Sequence, residues 1–353
     1  MSETKRKYTR KKQKQSAAFK LIESLKFIFQ VLKKQGSLQQ THCKLVNKWL
    51  LGANDKVTLA TKIDEDLNCS PHAHTFIEAL SKCSGVVKIV FDGNALSVQS
   101  ENFKAIVDDC TNLLNLSFRS PSECQFVIPE HFVKCIQTLS KLLSQTSEEI
   151  WLNSILVGTN SCVASNGSVL IEIIHGGYFE NSFIINHCVG ILSKTDKTLV
   201  KYTIEANQIT FEYEDGSLLI SELENEIYPP YSHHFDYEGE LINCNLTEEF
   251  FKALEYIKPF GVLGVVYFNE GKFCSNENEI ESTSYEISGY PSGFSFYISD
   301  LLLLKDLDGN AFFDRLNNKL FLYSKEGVLP MYRCVKLGIS KPEENGIENE
   351  SIS

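Results

Sequence analysis

The side chains best equipped for chemistry in this chain are eleven cysteines, eight histidines and a set of lysines carried on helix-like stretches. The cysteines stand at 43, 69, 83, 110, 124, 135, 162, 188, 244, 274 and 334, an odd number with no Cys-x-x-Cys pair. Structural zinc and redox sites use closely spaced thiols, so this scatter reads as reduced cysteines filling a core as small hydrophobes. The histidine pairs are His72 with His74 and His233 with His234. An i, i+2 pair on a helix, like adjacent residues on a strand, points to different faces, which argues for surface or packing roles rather than metal ligation. The segment Glu277-Asn278-Glu279-Ile280-Glu281 alternates like a solvated strand and lacks the glycine and ligand order of a calcium loop. Gly-x-Gly-x-x-Gly, the phosphate-binding Gly-Lys-Ser/Thr loop, Gly-x-Ser-x-Gly and His-Glu-x-x-His are absent. Their absence weakens an enzymatic reading without eliminating it, and neither cofactor nor metal is expected.

The lysines carry more information. Lys20, Lys26, Lys33 and Lys34 lie on a first helical stretch, Lys134 and Lys141 on a third, Lys252 and Lys258 on a fifth, and Lys194 and Lys305 on the fourth and sixth. Were these faces to look into one space, they would form a positive lining that meets phosphates without reading bases. Otherwise they are ordinary solvated helix faces. A formal net charge of −11 excludes a surface that is basic all over. No run of about 18 apolar residues occurs, and no apolar h-region follows the basic start, so a soluble, cytoplasmic protein is expected.

The elements that position these residues repeat. Residues 86–98, 199–211 and 311–323 each read as a hairpin, with apolar and β-branched residues on either side of a Gly/Asn-containing turn. Their starts are about 110 residues apart, the size of a small domain rather than of a solenoid unit. With 353 residues, 43% of them hydrophobic, two or three cores can form. Two helices are predicted in each third: 19–34, and a second with Ser70 as N-cap and Pro71 at its first position running to Cys83; a third opened by Pro129 and running through Leu143, with 183–194 as its partner; one capped by Thr247 with Glu248 and Glu249 in the first turn, and 297–307. Between the helices of each third lie strand-rich blocks at 43–61, 151–174 and 262–287. Such units make an α+β fold, each domain having two helices on antiparallel sheets.

Three local matches resemble one family. Val163-Ala164-Ser165-Asn166-Gly167-Ser168-Val169-Leu170, preceded by Trp151-Leu152-Asn153-Ser154-Ile155-Leu156, looks like the Val-Ala-Thr-Asp-Gly-His-Arg-Leu segment of bacterial-type DNA sliding clamps. These clamps are the β processivity subunits of DNA polymerase III, some carried by phages or other mobile elements. Tyr228-Pro229-Pro230-Tyr231 resembles the family's Phe-Pro-Asp-Tyr linker, and Tyr332-Arg333-Cys334-Val335-Lys336-Leu337 its terminal Val-Met-Pro-Met-Arg-Leu. The likeness is collinear over residues 19–339.

The resemblance implies a ring-forming clamp fold of three similar domains, 18–120, 121–236 and 237–339; the basic arm before them (1–17) has too few apolar residues to bury a core and is expected to be disordered, and 340–353 reads as an acidic tail. Two chains head to tail would encircle duplex DNA, contacting it without sequence preference through the ten lysines named above. DNA polymerase and clamp loader would bind through short peptides in a groove formed by Leu152, Ser165, Gly167, Leu170, Pro229, His234, Met331, Arg333, Val335 and Leu337. Phe103 and Ala105 would meet Ile257 and Phe260 across the dimer interface. Asn166, Ser168 and Val169 depart from the family's Asp-His-Arg, and Arg333-Cys334 from its Met-Pro; an alternative alignment puts Val328-Leu329-Pro330-Met331 at that last position. A rival reading is a cytosolic enzyme or regulatory binding protein of duplicated domains with one reactive cysteine; a third is a clamp-like viral monomer.

Overall fold

A computed structural model describes residues 17–111, 124–144, 146–237, 239–278, 280 and 282–339. The basic arm up to residue 16, the acidic tail from 340, and Glu279 and Glu281 of the acidic segment lie outside the described residues. Two compact units form, one running to Val127 and including Thr195–Glu222, the other comprising Ile128–Lys194 and the chain from Leu223 onward.

In the first unit, a seven-stranded antiparallel sheet runs in the order Lys44–Val46, Trp49–Ala53, Val57–Lys62, Leu218–Glu222, Gln208–Tyr213, Leu199–Glu205, Phe126–Val127. The hairpin expected at 199–211 is thus paired to strands from the first third, with Leu218 opposite Ala60 and Ser221 opposite Val57. Helix Ala17–Ile28 buries Leu21, Leu25 and Ile28 against this sheet. Gly52 permits the approach, because a Cβ there would come within 2.8 Å of the Ile28 Cβ. The helix stops six residues before the expected Lys34, and Lys33 instead donates its N–H to the Gln40 carbonyl. The second helix starts at Ala73, later than Ser70-Pro71 implied. Pro71 bridges extended to Asp109, and the cap is the His72 ring, which accepts from the Thr75 N–H. A separate three-stranded sheet holds Lys88–Phe91, Ala95–Ser100 and Phe103–Asp108, so the first expected hairpin forms.

In the second unit, eight antiparallel strands run Phe183–Ile185, Ile155–Val157, Ser161–Ser165, Val169–Ile174, Tyr332–Leu337, Lys319–Ser324, Gly309–Asp314, Leu241–Cys244. Strands from the middle and last thirds join at Leu170–Val335 and Glu172–Arg333. Helix Phe132–Leu139 begins after Pro129, whose carbonyl accepts from the Phe132 N–H. The partner expected at 183–194 is mostly not helix: Phe183–Ile185 is a buried strand and only Val189–Leu192 is helical. A short apolar run suits either state, and here pairing with Ile155–Val157 decides it. Trp151–Asn153, expected in a strand block, closes a helical turn at Ile150–Asn153. Helix Glu248–Ile257 is capped by the Thr247 hydroxyl as expected. The sixth helix is shorter than 297–307, being α over Ile298–Leu303 and 3-10 over Leu304–Asp306. A four-stranded sheet of Ser284–Glu286, Lys272–Cys274, Val265–Asn269 and Phe294–Tyr297 supports both. Its core is aromatic, with Phe268 stacked on Phe273 at 4.2 Å and Phe294 at 4.8 Å from Phe313.

Candidate functional site

A groove of about 260 Å³ opens in the second unit where the two sets of strands meet. Its floor is sheet: Leu170 faces Val335 across the junction, on the same face as Val163 and Phe321. One wall is the tight turn between Ser161–Ser165 and Val169–Ile174. Asn166 builds that turn, its carbonyl group accepting from the Ser168 and Val169 N–H groups at 3.0 and 2.7 Å. Gly167 sits in it at φ +91°, where a side chain would be strained. The other wall is the connection Tyr228-Pro229-Pro230-Tyr231, leading into a 3-10 turn at Ser232–Phe235. The prolines restrict the backbone and remove two donors, leaving an apolar lip. Phe235 is buried against Leu170, Phe321 and Val335 and so pins the connection to the sheet.

Glu172 holds the far end. It accepts from Arg333 Nε at 2.5 Å, from Ser161 Oγ at 2.7 Å and from the Tyr231 hydroxyl at 3.1 Å. The guanidinium lies 4.1 Å over the Phe235 ring. Burial, then the Glu172 charge, pushes the Tyr231 hydroxyl up to about 12. Burial, then His233 and Lys319, holds the His234 imidazole below its usual range, so at neutral pH His234 itself adds no positive charge to the rim. An apolar trough with aromatic and proline sides and, among the described residues, no lining carboxylate suits apolar side chains of a short extended peptide.

Of the expected groove residues, Ser165, Gly167, Leu170, Pro229, His234, Val335 and Leu337 line it. Leu152 does not: it lies behind Gly167, 3.7 Å from where a Cβ would stand, and Trp151 takes the lining position. Met331 does not: it lies before the terminal strand, 46% exposed, its carbonyl accepting from Ile174. Arg333 is drawn to Glu172 beside the groove. Val335 and Leu337 reach the groove because Tyr332–Leu337 pairs with Val169–Ile174. Trp151, Ser168, Val169, Tyr228, Pro230 and Tyr231 line the groove and were missed, although each stands in a segment that carried the resemblance.

All ten expected lysines have exposed side chains. Several are paired: Lys20 with Asp64 at 3.4 Å, Lys26 with Glu23 at 2.8 Å, Lys141 with Asp306 at 2.6 Å and Lys305 with Glu255 at 2.9 Å. Lys33 and Lys34 follow the first helix rather than lying on it. Of the expected interface residues, Phe103 and Ala105 are half-buried on an outer strand of the three-stranded sheet, whose neighbour Ile106 is exposed. Phe260 is exposed together with Val262 and Leu263, whereas Ile257 is buried at the end of helix Glu248–Ile257 and offers no surface.

All eleven cysteines are reduced thiols, and nine are buried. Burial pushes Cys69 and Cys244 up to about 12 and Cys124 to about 11. Cys110 lies 3.3 Å from the His42 Nε2, but burial and then Asp109 and Asp108 raise its thiol, and burial lowers the imidazole. That pair stays neutral, the opposite of an activated nucleophile. Among the described residues no group of three or more His, Cys, Asp or Glu is placed to hold a metal ion, and no helix is long and apolar enough to cross a membrane.

Helices backed by antiparallel sheets, as arranged here, have the fold of solved DNA polymerase sliding clamps. The sliding clamp of Bacillus subtilis superposes with a TM-score of 0.76 at 16% identity, over 92% of this chain and 98% of that one. The Helicobacter pylori β clamp bound to a DNA ligase peptide gives 0.72 at 14%, over 92% and 99%. The Pseudomonas aeruginosa clamp bound to griselimycin gives 0.73 at 15%, over 91% and 97%. No protein-family model and no curated protein sequence matches the chain.

Proposed function

We propose that this chain is a DNA sliding clamp: a non-enzymatic cytoplasmic ring that encircles duplex DNA and tethers a replicative polymerase. The observation that carries this reading is the fold, which matches sliding clamps over nearly the whole of both chains. In this reading the chain comprises three domains, 18–120, 121–236 and 237–339, and two copies close the ring head to tail. Ile106, beside Phe103 and Ala105, meets Phe260, Val262 and Leu263 of the second copy; their exposure supports them over Ile257. Closure also covers the edge of Phe103–Asp108, which pairs on one side only among the described residues.

Affinity for DNA then comes from enclosure, so sliding needs only weak, exchangeable phosphate contacts. Lysines whose charge is partly offset by neighbouring carboxylates suit that demand. The groove takes short apolar peptides of the polymerase and the clamp loader, as the peptide-bound Helicobacter clamp suggests. The test pairs a size measurement with polymerase extension on primed circular DNA loaded by the cognate loader. A dimer that lengthens products is expected; a strict monomer with no effect on product length would sink the proposal.

A further inference from the structure

On the opposite side of the groove's turn lies a buried polar cluster. Lys336 is fully buried on the terminal strand, its Nζ 3.0 Å from the Asp300 carboxylate and 2.7 Å from the Leu337 carbonyl. Asp300, itself almost buried, stands in the first turn of helix Ile298–Leu303. Its other contacts go to the groove wall: Ser168 Oγ donates to Oδ2 in a short hydrogen bond, and Asn166 Nδ2 donates to Oδ1 at 3.1 Å. The Leu337 N–H completes the seam by donating to the Ser168 carbonyl at 2.8 Å. Asn166 and Ser168 are two of the positions where this chain departs from the family segment it resembles.

We infer that Asp300 is a positioning residue for the groove, its carboxylate orienting Asn166 and Ser168 so that Gly167 and Ser168 form a preset wall, with Lys336 as the buried counter-charge. The inference rests on the groove reading. Asn166 uses its two polar atoms differently: the oxygen accepts from the turn's own N–H groups while the amide nitrogen reaches Asp300. Fixing the amide from the helix side therefore fixes which way the turn's donors point. A bare buried lysine would be costly, and Asp300 removes that cost while spending its remaining lone pairs on the turn. Burial holds the Lys336 ammonium below its usual range, as expected for a cation kept inside by one partner. A wall set before the peptide arrives loses less conformational freedom on binding.

Two double variants of equal charge separate positioning from folding. Asp300→Asn with Lys336→Met keeps an acceptor for Asn166 and a partner for Ser168; Asp300→Leu with Lys336→Met keeps the volume and removes both. Each is made in a Trp49→Phe background, which leaves Trp151 on the groove as the sole indole. Both should fold, since apolar replacement of a buried ion pair is tolerated. In the leucine variant the Ser168 and Val169 amides should exchange about tenfold faster and the Trp151 emission should shift, with the asparagine variant near the parent. The Helicobacter DNA ligase peptide should likewise bind about tenfold more weakly to the leucine variant alone. Equal exchange at those amides in the two variants would overturn the inference. A parent that fails to bind the peptide would count against the groove reading, while amide exchange would still decide the role of Asp300.

Discussion

Phe235→Ala removes the side chain that holds the groove's second wall on the sheet. The ring is 5% exposed and contacts a cluster containing Leu170, Phe321 and Val335, with the Arg333 guanidinium 4.1 Å above it. Truncating a buried phenylalanine costs about 3–5 kcal/mol in lost transfer energy and residual cavity. The cation–π contact adds about 0.5–1 kcal/mol, at the low end because Arg333 stays half-exposed and paired with Glu172. The site can collapse partly, since Tyr228 and Tyr231 border the same cluster, so about 3–4 kcal/mol is the expected net loss. Urea unfolding at one fixed protein concentration, followed by Trp151 emission in the Trp49→Phe background, measures it. Tyr178→Ala, at a position 67% exposed, should change stability by no more than about 0.5 kcal/mol. Because that partial collapse at Phe235 would draw the 228–231 wall out of its place on the groove, peptide affinity should fall together with stability. A loss below about 1 kcal/mol with peptide binding intact would show that Phe235 does not pin the wall.

Other consequences follow from the same contacts. Ile106→Asp and Leu263→Asp each place a carboxylate on an exposed apolar position of the proposed interface, so sedimentation should show a monomer with unchanged circular dichroism; a persistent dimer in both would move the interface elsewhere. Asp306→Asn with Glu255→Gln frees Lys141 and Lys305, and for DNA held in the ring the salt dependence of binding should steepen by up to about 0.9 per released lysine; an unchanged slope would remove these lysines from the DNA surface. His175 is buried, with Nε2 3.3 Å from the Gly158 carbonyl and its imidazole held below its usual range by burial. A lowered folded-state value means the neutral form is favoured, so its contribution is complete above about pH 6.5 and declines as pH falls through the lower folded-state value. His175→Phe should flatten that acid decline in a thermal-melt series, and identical pH profiles for parent and variant would refute the assignment.

Legibility tracked how local each cause was. Thr247 caps its helix because the hydroxyl needs only the Phe250 N–H three residues on. The hairpin at 199–211 was readable because Thr203 and Thr210, with their neighbours, pair across a two-residue turn. Phe183-Ile184-Ile185 was misread as helix, since an apolar triplet carries no period and its partner strand lies at 155–157. Ser70 looked like a cap, yet its N–H is taken by Asp109, thirty-nine residues away. Trp151 and Leu152 were exchanged because one helical turn decides which of two neighbours faces the groove.

The sequence alone determined the antiparallel α+β character, the hairpins, the use of most cysteines as core residues, and the three segments that build the groove. Each of these rests on pattern, composition or neighbours a few residues apart. Tertiary structure decided which of those segments' side chains share the groove and which are claimed elsewhere. Arg333 is spoken for by Glu172, 161 residues earlier, and Ser168 by Asp300, 132 residues later. A charged or hydroxyl side chain is committed by whichever partner the fold brings within about 3 Å, and no local pattern encodes that distance.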